Sequence, residues 1–238
     1  MVSGTGVTAD LSNRLEEVAA VARPLFGDDI FVSHIHEALS EAMANIMGHA
    51  YIKGIEAGAI TGESLTNRLM PPTLEVLALQ ARAAALQRWW IAGHADADTG
   101  EMSLYALDHG HTIPVIAPYR MREAIDAYWL ANPDRRPKRP YFPTDSELLE
   151  AVARARREGF GTGRRGKGFP SMIGLVENEA TAGAVTVISG NAMYEFRMDK
   201  HANLLSERSY PLSKRLNGTL IEWRIGGSLG RGDWKFDA

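Results

Sequence analysis

RWWIAGHADADTGEMSLYALDHGHTIP, residues 88–114, reads as a strand, a tight turn and a returning strand that stops at an acid. Residues 88–95 carry two tryptophans and an isoleucine, side chains that suit a pleated sheet. Asp96, Asp98 and Gly100 then supply turn chemistry, as expected of a hairpin. Residues 101–107 return antiparallel and deliver Asp108 to a strand end, with Gly110 just beyond it. Trp89 and Trp90 are adjacent, so one is expected on each side of the sheet.

Upstream, residues 35–51 (IHEALSEAMANIMGHAY) belong to a helix expected over 30–56. Ile35, Leu39, Ala42, Ile46 and Ala50 recur on one face, and Glu41, Asn45 and His49 align on another. Such a polar line can face a pocket or water. A shorter helix is expected over 9–22, with Leu11, Leu15, Val18, Ala19 and Ala22 at helical spacing and Pro24 as its stop. Residues 1–8 are small and polar and are expected to fray. Residues 54–72 read as a linker and 73–87 as an Ala- and Leu-rich helix.

Downstream, Pro114 and Pro118 bracket the exit from the hairpin, and a helix is expected over 119–131. Residues 132–143 are basic and proline-rich, without regular structure. Thr144 and Glu147 form a capping-box pattern opening a helix to about residue 158. A glycine loop spans 159–168, and a helix follows over 170–179. Strands are expected over 184–189, 192–199 and 219–225, with 201–217 as a connection. The fold class is therefore α+β, a two-layer α/β sandwich.

The chain has 238 residues, 45% hydrophobic and 23% charged, in the range of ordinary globular proteins. With no cysteine, disulfides, Cys-ligated zinc and thiol catalysis are excluded. The net charge of -3 argues against a dedicated nucleic-acid coat, and no nucleic-acid partner is expected. No apolar run is long enough to span a membrane, and no export signal precedes the first helix, so a cytoplasmic location is expected. His109 and His111 lack a third ligand at zinc-binding spacing, and the basic run at 135–140 reads as a solvated loop.

In this order the motifs resemble those of the GHKL superfamily of ATP-binding domains, which includes sensor histidine kinases and the ATPase heads of type II topoisomerases. The resemblance covers roughly residues 31–225. An N box of the form ExxxNxxxHA is matched by Glu41, Asn45, His49 and Ala50. The G1 box DxGxGI is matched by Asp108, Gly110 and Ile113, with Thr112 where the second glycine usually stands. A glycine-rich G2 loop is matched by Gly161, Gly163, Gly166 and Gly168, and the late Gly-Thr by Gly218 and Thr219.

The resemblance implies a Bergerat-type sandwich, its mixed and mostly antiparallel sheet covered by helices on one face. Residues 1–29 would be a helical extension and 30–238 the ATP-binding domain. It further implies ATP and Mg²⁺ as ligands. Glu41 would act on the attacking water and Asn45 would hold Mg²⁺. Asp108, Gly110, Ile113 and Thr219 would receive the base. Gly163, Arg164, Arg165, Gly166, Lys167 and Gly168 would hold the phosphates with backbone N–H groups and positive charge. Thr112 lacks glycine's access to positive φ and should stiffen the G1 turn.

The function so implied is Mg²⁺-dependent ATP binding with slow hydrolysis, nucleotide state controlling a protein partner, with homodimerisation left open. Two alternatives stand beside it. One is an anti-sigma-type protein serine/threonine kinase, and the other a non-catalytic interaction module with a degenerate nucleotide site.

Overall fold

The computed structural model describes residues 2–5, 11–22, 29–46, 88–138, 143–160, 168–177, 182–201 and 203–226. In chain order the elements are β1 Val2–Thr5, α1 Leu11–Ala19, α2 Asp29–Asn45, β2 Arg88–Asp96 and β3 Glu101–Asp108. Then come α3 Ile113–Arg120, α4 Arg122–Ala131, α5 Asp145–Arg157, α6 Gly168–Glu177, β4 Gly183–Met198 and β5 Leu204–Gly226.

The hairpin forms as its sequence dictates. Trp89 lies opposite Asp108 and Asp96 opposite Glu101. Asp96 closes the turn by accepting the amides of Asp98 at 2.9 Å and Thr99 at 3.3 Å. The strand order is β1-β2-β3-β5-β4. Every pairing among the described residues is antiparallel, where a mixed sheet was expected.

Alternation along β3 and β5 decides which face is buried. Met102, Leu104, Ala106 and Asp108 are buried, as are Thr219, Ile221, Trp223 and Ile225 opposite them. The residues between are half-exposed. Helices cover the buried face: the Trp223 indole N–H donates to the Met172 carbonyl of α6 at 2.9 Å. On α2, Ile35, Leu39, Ala42 and Ile46 are all buried, as the spacing predicts, while Ala50 lies outside the described residues. The result is a two-layer α+β arrangement around one core. Among the described residues no helix is long and apolar enough to cross a membrane.

Several local expectations are corrected. Residues 2–5 do not fray but pair with β2 as an edge strand. Leu15, Val18, Ala19 and Ala22, from the segment read as an extension, join the same core as α2. Pro114 and Pro118, expected to bracket the exit from the hairpin ahead of a helix at 119, both lie within helix α3. Pro114 sits in the first turn, where no N–H is required, and the helix is only eight residues long. Within the basic stretch, Pro133–Arg135 forms a short 3-10 turn.

The largest correction concerns residues 201–217. They are not a connection: from Leu204 they are strand, and β4 and β5 form one long hairpin, irregular at Ser189, Gly190 and Arg197.

Helix α5 begins as read from the sequence. Thr144 and Glu147 make a reciprocal capping box, the Glu147 carboxylate accepting the Thr144 amide at 2.7 Å. Its C-terminal half grips the long hairpin through Glu207, whose side chain is only 3% exposed. Arg154 meets that carboxylate at 3.0 Å and also donates to the Glu207 carbonyl at 2.9 Å. Arg157 and the Tyr194 hydroxyl complete the shell. Two guanidinium groups on one carboxylate satisfy charges that burial would otherwise penalise heavily.

Candidate functional site

Asp108 ends β3 on the core face and is 2% exposed. Register places Thr219 of β5 directly opposite it, and Ser189 of β4 opposite Thr219. A polar row therefore crosses three strands at one end of an apolar face. Burial of a carboxylate and two hydroxyls is tolerated only where hydrogen bonds satisfy them. Asp108 Oδ1 accepts the Gly110 amide at 2.7 Å. Ser189 Oγ and Thr219 Oγ1 are 2.8 Å apart. Ser189 Oγ also accepts the Ile113 amide at 2.8 Å and lies 3.4 Å from the Gly218 carbonyl oxygen.

These bonds fold residues 109–113 back over the row. Both Gly110 and Ile113 offer backbone N–H groups to it, so the turn is tied to β3 and β4 at once. Thr112 between them is fully buried and caps α3, its carbonyl accepting the amides of Val115 and Ile116 at 3.0 and 3.1 Å. Its φ of −73° and ψ of 152° are ordinary extended values. The threonine therefore needs no glycine-like conformation and sits unstrained at this position.

Glycine is required instead on the strand facing Asp108. Gly218 has φ 125°, and a Cβ there would lie 1.9 Å from the Asp108 carbonyl oxygen. Gly190, next to Ser189, has φ 65°, and a Cβ there would lie 2.4 Å from Asp145 Oδ2. That carboxylate sits in the first turn of α5, where the positive end of the helix favours it. It accepts the Asn191 amide at 2.9 Å and meets Arg215 at 3.3 Å.

The electrostatics follow from burial. Desolvation pushes the Asp108 carboxyl up to about 7, against the opposing pull of the Gly110 and Thr219 backbone amides. Burial holds His111 below the ordinary imidazole range. His109 packs edge-on to Trp90 with ring centroids 5.0 Å apart. A carboxyl poised near neutrality can accept a proton-bearing group as the anion or donate one as the acid.

The structure thus brings together Asp108, Gly110, Ile113 and Thr219 from the expected set. Glu41 and Asn45 stand half-buried and four residues apart on α2, which packs against β3, the strand ending in Asp108. Gly168 is the first residue of α6. Gly163, Arg164, Arg165, Gly166 and Lys167 lie outside the described residues, as do His49, Ala50 and Gly161. Sequence reading missed Ser189 and the Asp145–Arg215 pair. Only strand register reveals Ser189; its serine-glycine context resembles any strand end.

No protein-family model matches the chain, and no curated protein matches it.

Proposed function

We propose that the row of Asp108, Thr219 and Ser189 is the base-recognising end of an ATP site of the GHKL type. The observation that carries this reading is the buried Asp108 carboxyl at a strand end, directly opposite a threonine hydroxyl. An adenine edge presents an amino donor beside a ring-nitrogen acceptor. A carboxylate and a hydroxyl at adjacent strand positions complement that pair. Asn45 supplies a hard oxygen for Mg²⁺, and Glu41, one helical turn earlier, is placed on the same side to act on water. By its sequence, the 163–168 segment would bring glycine-rich backbone and three basic side chains to the phosphates. When bound, Mg²⁺ neutralises phosphate charge during hydrolysis. Slow turnover would let nucleotide state control a protein partner. The unstrained Thr112 favours a competent site over a degenerate one.

Isothermal titration with a non-hydrolysable ATP analogue, with and without Mg²⁺, tests the site. Micromolar, magnesium-dependent binding is expected, and no binding at millimolar nucleotide refutes it. With ATP itself, Glu41→Ala should abolish turnover and leave affinity unchanged. Undiminished hydrolysis by that variant removes Glu41 from the chemistry, and phosphate appearing on a co-purified protein would favour a kinase over a hydrolase.

A further inference from the structure

We propose that Ser189 is a positioning residue that acts through Thr219, holding its hydroxyl so that its proton is presented to a ring-nitrogen acceptor of the base. The inference rests on the nucleotide site proposed above and names the residue that sets its selectivity.

A serine hydroxyl has one proton and two lone pairs. One lone pair of Ser189 is taken by the Ile113 amide at 2.8 Å, which fixes the side chain in place. What remains is divided between Thr219 Oγ1 at 2.8 Å and the Gly218 carbonyl at 3.4 Å. Two arrangements satisfy these distances. In one, Thr219 donates to Ser189 and Ser189 donates to Gly218, so Thr219 shows only lone pairs to a ligand. In the other, Ser189 donates to Thr219, and the Thr219 proton is free for the ligand.

Both keep the short 2.8 Å bond. They differ only in the long contact to Gly218, whose length marks it as weak. A ligand nitrogen that accepts from Thr219 therefore exchanges a poor hydrogen bond for a good one. A 6-amino purine offers that nitrogen beside an amino group suited to Asp108. A 6-oxo purine offers an N–H there, which calls for the first arrangement, with the Thr219 lone pairs turned to the ligand and only the weak contact to Gly218 kept. It therefore makes less use of the proton that Ser189 can free.

The test is a double-mutant cycle on the full chain, titrated with non-hydrolysable analogues of ATP and inosine triphosphate. Ser189→Ala should weaken the ATP analogue roughly tenfold, the scale of one hydrogen bond, and the inosine analogue by clearly less. In a Thr219→Val background the same change should cost nothing further, because the hydroxyl that Ser189 positions is already gone. Ser189→Cys, close in volume but a weak donor, gives the same cycle if alanine prevents folding. A loss that is equal for both nucleotides, or equal in both backgrounds, would show a merely structural serine and overturn the proposal, as would unchanged affinity. Absence of ATP binding by the wild-type protein would instead remove the nucleotide site itself, and the role of Ser189 with it.

Discussion

The protonation of Asp108 has a measurable signature in stability. Its carboxyl is pushed from 3.8 to about 7 by burial. Because the folded-state value lies above the unfolded one, the native state holds the proton longer. The contribution of Asp108 to stability is therefore largest below about pH 4, falls as pH rises towards 7, and levels off above that. With the linkage relation, that fall between pH 5 and pH 8 amounts to roughly 2–3 kcal/mol. Asp108→Asn keeps the shape and an oxygen for the Gly110 amide but cannot titrate. Urea unfolding of both proteins at intervals from pH 5 to 8 should give curves that converge or diverge by that amount. Glu222, also raised by burial, is present in both and cancels from the difference. Parallel curves would refute the buried, proton-holding carboxyl.

Gly218→Ala forces a Cβ towards a backbone oxygen 1.9 Å away and places alanine at φ 125°. It should lower unfolding free energy by about 3 kcal/mol or more in urea, and an unchanged midpoint would contradict the close approach of β5 to β3. Glu207→Ala leaves the Arg154 and Arg157 guanidinium groups without their shared buried carboxylate. A loss of about 3–5 kcal/mol is expected, again from urea unfolding, and a loss under 1 kcal/mol would mean that the network is solvated.

Features with a strong local cause were legible in the residues. The capping box at Thr144 needs only its own four residues, and the 88–108 hairpin only its turn and two flanking strands. The buried face of α2 follows from spacing alone. What escaped depends on distant partners. Residues 204–217 carry Pro211, Lys214, Arg215 and several serines, which read as loop because that part of β5 pairs with β4 but not with β3. Half of its surroundings are solvent, so neither alternation nor β-branched composition is demanded. The helix containing Pro114 and Pro118 forms because its first turn needs no amide and its interior is short. Within the site, Asp108 was visible as the end of a hairpin, and Thr219 through its motif. Ser189 became visible only when Thr219, 30 positions further along the chain, was folded back beside it.

The placement of β5 has a consequence for how the molecule comes into being. Among the described residues it is the last strand, yet it sits between β3 and β4 in the sheet. Until it is made, β3 lacks its inner partner and β4 has none, and both present unpaired amides and carbonyls to anything nearby. The row of Asp108, Thr219 and Ser189 cannot exist before that insertion, since β5 brings the middle member. Assembly of the site and completion of the sheet are therefore one event, delayed by the long chain closure it requires. A nascent chain interrupted before Leu204 would hold Asp108 and Ser189 without the strand that joins them, and would be open to pairing with its neighbours.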